Sequence, residues 1–265
     1  MRLSPLARRA LAALTGAALV FLFAPILYVV LLSFNKERSI IFSSFSTKWW
    51  GVAWHNPDVR QALWGSVKAA LLASFIALLL GTAAALAVHR YKFFGREVLS
   101  FLVILPIALP GIVTGIALNS AFRQVLGIKL GFFTMVIAHA TFCIVVVYNN
   151  VLARLRRLPG NLDEASADLG ARPFTTFRTI TFPLLRSALF AGALLAMALS
   201  FDEIVVTTFT AGASTKTLPQ FIFTRFSRPN ELPVVNVVSV TVILISIIPA
   251  WLAQRLAGDQ GGPAR

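Results

Sequence analysis

The sequence predicts an all-α integral membrane protein with six transmembrane helices, and three observations lead there. Of its 265 residues 57% are hydrophobic and only 13% charged, far from the soluble average of about a quarter charged; mean hydropathy is +0.80. Six apolar stretches approach the roughly 20 residues that about 30 Å of hydrocarbon demands. The basic residues that give a net charge of +14 sit in short segments between those stretches. A soluble protein with such a charge suggests a nucleic-acid partner, but here the distribution follows the positive-inside pattern of membrane proteins, so no nucleic-acid role is expected.

The expected spans are residues 11–34, 66–88, 98–122, 132–152, 184–208 and 234–252, forming one transmembrane domain over residues 1–265. The first follows MRLSPLARRA, but its apolar run exceeds the 7–15 residues of a signal-peptide core, so it reads as an uncleaved anchor. Lys68 lies near the outer end of the second and can snorkel. In the third, LPIALPG places Pro106, Pro110 and Gly111 where they interrupt helical hydrogen bonding; a kink there suits a helix lining a path or one that is merely packed. The fourth carries Cys143 alone, so neither a disulfide framework nor a CxxC site is possible and a small core residue is expected. With the N-terminus inside, fourteen Lys and Arg fall in inner segments and nine in outer ones. Both termini are therefore expected in the cytoplasm. The outer KWWGVAWHNPDVRQALW has tryptophans suited to the membrane interface.

The inner connection 153–183 is long enough to carry its own structure, and long ordered loops are usually functional. In NLDEASADLG, Asn161 is placed to cap a short helix, with Glu164 three residues on completing a capping box. Asp163 and Glu164 then sit in the first turn, favoured by the helix dipole, and Gly170 ends the helix in a left-handed cap. Ala165, Ser166 and Ala167 offer a face of little bulk beside Leu162 and Leu169. Pro173 starts a second helix carrying Phe174, Phe177 and Ile180. By itself the pattern fits either a docking element or an ordinary interfacial loop.

EASADLGARPFTTFRTITFP resembles the EAA loop of permease subunits in binding-protein-dependent ABC importers: Glu164, Ala165, Gly170, Ile180 and Pro183 match at full spacing, with Ser166 for a second Ala and Phe182 for Leu. LPIALPGIVTGIAL, HATFCIVVVYNNVLARLRR and SFDEIVVTTFTAG are similar to the spermidine/putrescine-type subgroup, which also includes importers of opines and related solutes. The resemblance implies that the loop is a coupling helix seated on a cytoplasmic ATPase dimer, with Leu162, Glu164, Ala165, Ser166, Leu169, Gly170, Ile180 and Pro183 as coupling residues. It further implies a second permease subunit that is a paralogue of this one, an extracytoplasmic solute-binding protein, and an inner-membrane location in a bacterium.

No GxxxxGK[ST] phosphate loop or LSGGQ-like stretch is present, so no cofactor is expected on this chain; ATP and Mg belong to the partner ATPase. His55, His89 and His139 are too scattered for a metal set, and no GxSxG elbow occurs; packing or interface roles are expected. Asp202 and Glu203 are expected inside the fifth span, where a charge costs about 2.5–3.5 kcal/mol on insertion scales and usually faces a protein interior or aqueous path. Asp202 is expected on the substrate pathway and Glu203 in a structural role, against the alternative of a helix-end carboxylate paired with a base. A self-sufficient secondary transporter or channel would show a repeat or charge relay, and neither is visible. A membrane scaffold would use the loop without transport.

Overall fold

The computed structural model describes residues 4–213 and 215–258; Arg2 and Arg265, counted in the charge balance, lie outside them. In chain order the helices are α1 Pro5–Ser33, α2 Lys48–His55, α3 Pro57–Arg90, α4 Arg96–Ala108, α5 Gly111–Ser120, α6 Phe132–Leu155, α7 Leu162–Asp168, α8 Pro173–Thr176, α9 Phe182–Phe201, α10 Val205–Thr210, α11 Leu218–Arg225 and α12 Leu232–Gly258. π-helical turns follow α5 and α8, over Ala121–Val125 and Phe177–Thr181. Five helical stretches are long and apolar enough to cross a membrane, or six if the bent pair α4–α5 is one span. The described residues fall into two compact units, one within Met1–Arg60 and Phe221–Leu244, the other within Gln61–Gln220 and Ile245–Arg265.

In the first unit, α1 is apolar on every side and, apart from Leu32 and Ser33, none of its residues is buried. A helix hydrophobic all round belongs in lipid or against other protein. The turn after it is held by Asn35, whose amide donates to Ser39 and Ile41 carbonyls and accepts from Ser43. Phe34 stacks between Phe45 and Trp50. Trp49 is buried while Trp54 is exposed, so the tryptophans divide between packing and surface. Arg225 ties Asp58 to Glu231, both at 2.6 Å.

The second unit is built on α6. Its Ala138, Phe142, Cys143, Val147, Tyr148, Val151, Leu152 and Leu155 are buried in the main core with Ala77, Ala85, Leu185 and Ala196. Cys143 is the core residue expected, its thiol against the Ala196 carbonyl. Helix α3 meets this core along a stripe of Ala69, Ala73, Ala77, Gly81 and Ala85, at the small-residue spacing that lets membrane helices approach closely. The approach to α6 is close at Gly81, where a Cβ would stand 2.9 Å from the Ile144 carbonyl oxygen and 3.0 Å from Val147 Cβ.

Two expected spans are not continuous. The third, expected over 98–122, is two helices bent by 110°. Pro110 forces Leu109 into extended backbone (φ −88°, ψ 145°), as the residue before proline prefers, and Gly111 starts α5 on a new axis. The fifth, expected over 184–208, stops at Phe201 and resumes at Val205. Asp202 therefore caps a helix end rather than lying inside a helix.

Gly81→Val is expected to push α3 off the α6 backbone and destabilise the fold by about 1–3 kcal/mol, the range for overpacking; a lowered melting temperature of the purified protein in detergent would register it.

Candidate coupling loop and paired helix breaks

The 153–183 loop is a folded element. Helix α7 ends in a Schellman motif: the Gly170 amide donates to the Ala167 carbonyl at 2.8 Å and the Ala171 amide to Ser166 at 3.1 Å. Gly170, at φ +79°, occupies the left-handed position that glycine takes without penalty. The N-terminal capping box is absent. Asn161 has near-helical backbone (φ −85°, ψ −3°) and makes no side-chain cap bond, because a capping side chain needs extended backbone to reach back to the free amides. Asp163 serves another end: Arg90 Nη2, from the end of α3, donates to its Oδ1 at 2.6 Å and to Thr181 Oγ1 at 2.8 Å.

The small face also divides. Ser166 is buried, its hydroxyl 2.8 Å from that of Thr176 on α8, so it locks the two short helices together instead of facing outward. Leu162 is half-buried and shares a cavity of about 40 Å³ with Ile180, Leu155, Leu158, Leu184 and the His89–Arg90 pair. Leu162 and Ile180 are thus part of the loop's own packing. Glu164, Ala165, Ala167, Asp168, Leu169, Gly170 and Pro183 are exposed, with Leu169 at 89% and Phe174 at 73%. The outward surface thus combines Ala165, Ala167 and Gly170 with the acids Glu164 and Asp168, beside two protruding apolar side chains.

The second constellation surrounds the breaks in the third and fifth spans, which lie side by side: the Cβ position of Gly111 is 3.6 Å from Val205. Further along α5, Gly115 gives way to the Phe209 ring, which a Cβ would meet at 2.7 Å. Glu203 Oε1 accepts from the Val206 amide at 2.8 Å, satisfying one free donor at the start of α10. At the other end of α10, the Phe209 carbonyl accepts from Asn119 and the Thr210 carbonyl from Thr134 at 2.8 Å. His139, 1% exposed on α6, reaches both sides of the break, with Nδ1 2.8 Å from Ser200 Oγ and Nε2 2.8 Å from Thr207 Oγ1. Asp202 is exposed at the C-terminus of α9, and no ion pair or hydrogen bond to its carboxylate occurs among the described residues.

Sequence reasoning placed Asp202 and Glu203 together but missed the residues that organise the loop and the break. Arg90, Thr176, Asn119 and Thr134 bond to positions 10 to 91 residues away, which no local pattern signals. A polar residue inside an apolar run is the one general cue, and His139 and Asn119 both carried it.

Residues 77–259 match the family of binding-protein-dependent transport system inner membrane components. The chain belongs to that family. It is 34% identical over 245 residues, 92% of each chain, to the spermidine/putrescine transport system permease protein PotC of Escherichia coli K12, and 33% identical to the putrescine transport system permease protein PotI of the same strain, covering 89% of this chain and 87% of that one. At 28% identity it is similar to the putative 2-aminoethylphosphonate permease PhnV of Salmonella choleraesuis, covering 89% and 92%. Its fold matches a bacterial ABC transporter for alginate import, with a TM-score of 0.70 at 16% identity over 99% of this chain and 100% of that one. The permease is accordingly a multi-pass inner-membrane component of an ABC importer, a transport subunit and not an enzyme.

Replacing Arg90 with Gln should loosen the loop without unfolding the spans. An exposed ion pair is worth about 0.2–1 kcal/mol, so backbone amides of Leu162–Gly170 are expected to exchange hydrogen up to about fivefold faster, measured by mass spectrometry on the purified permease.

Proposed function

We propose that the permease forms half of the translocation path for a small amine solute, most simply a polyamine such as putrescine or spermidine, and that α7 is its coupling helix on a cytoplasmic ATPase dimer. The observation that carries the substrate class is the unequal use of the two acids at the fifth-span break. The end of a helix where carbonyls are left over carries a partial negative charge, and the end with free amides a partial positive one. Here α9 offers its carbonyl end, Glu203 masks the amide end of α10, and the Asp202 carboxylate stays unused. The break is therefore net anionic, as a cation path requires, and discontinuous membrane helices are where transporters commonly build their sites. At about 4 Å a carboxylate and an ammonium attract by roughly 1 kcal/mol in water and about 4 at an effective dielectric near 20. That is enough to draw a polyamine in and too little to trap it. The identities to PotC and PotI support the same reading. The weaker identity to PhnV favours, as a second reading, a solute bearing one amine and an anionic group.

The coupling assignment rests on the surface of α7, where Ala165, Ala167 and Leu169 are exposed on a helix braced from behind by Ser166–Thr176 and Arg90. On this reading the loop and both termini are cytoplasmic, ATP and Mg lie on the partner ATPase, and this chain binds no cofactor. A second permease subunit completes the path, and a solute-binding protein delivers from the other side.

Two outcomes check these assignments. Gly170→Asp, which strains the left-handed cap and adds charge beside Leu169, is expected to abolish co-purification of the ATPase while leaving membrane insertion intact; full association and transport would refute the docking role. Asp202→Asn, in vesicles with binding protein and ATPase present, is expected to lower polyamine uptake with normal assembly. Unchanged uptake across concentrations would remove Asp202 from the path, and uptake confined to an anionic solute in the unaltered complex would overturn the substrate class.

A further inference from the structure

We infer that His139 is a positioning residue for transport: its two ring nitrogens brace the break in the fifth span and so hold Asp202 toward the path, an inference that rests on the pathway reading of Asp202.

The geometry leaves the ring little freedom. Ser200 lies in the last turn of α9 and Thr207 in the first turn of α10, with Asp202, Glu203 and Ile204 between them. Thr207 Oγ1 donates its only proton to the Glu203 carbonyl at 2.7 Å. Its contact with His139 Nε2 must then be one it accepts, so Nε2 carries a hydrogen. In the neutral ring Nδ1 is the acceptor, and the Ser200 hydroxyl is the group that supplies it. One imidazole thus joins the two helix ends through a directional pair of bonds, and the Thr207 hydroxyl relays the second of them to the backbone of Glu203. Ser200, His139 and Thr207 are all buried, at 2%, 1% and 0% exposure, so water does not compete for these bonds. The ring also lies against Phe142, centroids 5.6 Å apart, one turn along the same helix. The brace therefore stands on α6, the helix with the largest buried share of the unit. The rest of α10 is tied to α5 and α6 by Asn119 and Thr134, whereas across the gap itself the His139 bridge is, among the described residues, the side-chain link from a neighbouring helix. Without it, the irregular residues 202–204 keep only their own local bonds, and Asp202 loses a fixed place.

The bridge separates from simple core packing by a pair of substitutions and a cycle. His139→Gln retains an acceptor and a donor at similar separation, and His139→Leu fills the space without either. Uptake of radiolabelled putrescine would be measured in proteoliposomes holding the whole importer, with ATPase co-purification as the assembly control. Near-normal uptake is expected for His139→Gln, and a loss of about tenfold for His139→Leu, the scale of two neutral hydrogen bonds. Combined with Asp202→Asn, His139→Leu is expected to cause no further loss, because both changes act through one carboxylate. If His139→Leu does not assemble, Thr207→Val removes the α10 half of the bridge at nearly constant volume, and the same non-additivity with Asp202→Asn is expected. Wild-type uptake in His139→Leu, equal loss in the Gln and Leu variants, or a deepening of the Asp202→Asn defect would each overturn the inference while the pathway reading stands. A silent Asp202→Asn would remove the pathway reading, and the inference with it.

Discussion

Hydrocarbon offers no hydrogen-bond partners, so every backbone amide and carbonyl at membrane depth must be satisfied within the protein. The rest of this structure depends on how that demand is met where two spans break. An unbroken helix meets it internally, as α6 does over 24 residues. A break releases amides on one side and carbonyls on the other. Around α10 the released groups are taken up by Glu203 at the first turn and by Asn119 and Thr134 at the last. These partners come from α5 and α6 as well as from the break itself, so the irregularity is possible only because three segments are packed together. The glycine at 115 follows from the same need: it lets α5 lie against the Phe209 ring, which a Cβ would meet at 2.7 Å, close enough for Asn119 to reach a carbonyl.

This constraint also sorts the acids. Acidic residues number ten in the whole chain against 24 basic ones, and those in the membrane domain do separate work. Asp163 is held by Arg90, and Glu203 is consumed by a backbone amide. Asp202, one residue away, is left at the exposed C-terminus of α9. Had the fifth span continued unbroken, both carboxylates would have required desolvation along a helix wall. Ending the helix at Phe201 lets Glu203 satisfy a free amide and leaves Asp202 at a terminus.

The helical class and the spans were legible in the sequence because apolar length and proline position act locally. Pro110 announced the third-span break, although not its 110° size, which is set by how α5 packs against α10. The fifth-span break was not legible: LLAMALSFDEIVVTTF reads as continuous apolar periodicity, and what stops the helix is Glu203 and Thr207 bonding back to the chain. In the loop, the Gly170 cap was legible since a left-handed turn favours glycine. The capping box was not realised, because its geometry hinges on the backbone angles at Asn161, and Asp163 had a distant competitor in Arg90. Ser166 was misplaced for a similar reason, since a small side chain suits a docking face and an internal lock equally well and only Thr176 decides between them.

The loop and the break stand at the two ends of one helix, and that bears on how they can communicate. Helix α9 runs 20 residues from Phe182 to Phe201, about 30 Å at 1.5 Å per residue. At its start it is continuous with the π-helical turn that carries Ile180 and Thr181, which contact α7 and Arg90. At its end it reaches Ser200 and the His139 bridge. Packed helices shift between discrete arrangements more readily than they deform. On the proposed reading a displacement of α7 enters α9 through the π-helical turn and passes along its 20 residues until it meets residues 202–204. There the motion must either carry α10 along or change the angle at the break. Because α10 is tied to α5 and α6 by its own bonds, the second is the smaller disturbance, and on the proposed reading it turns the Asp202 carboxylate relative to the path.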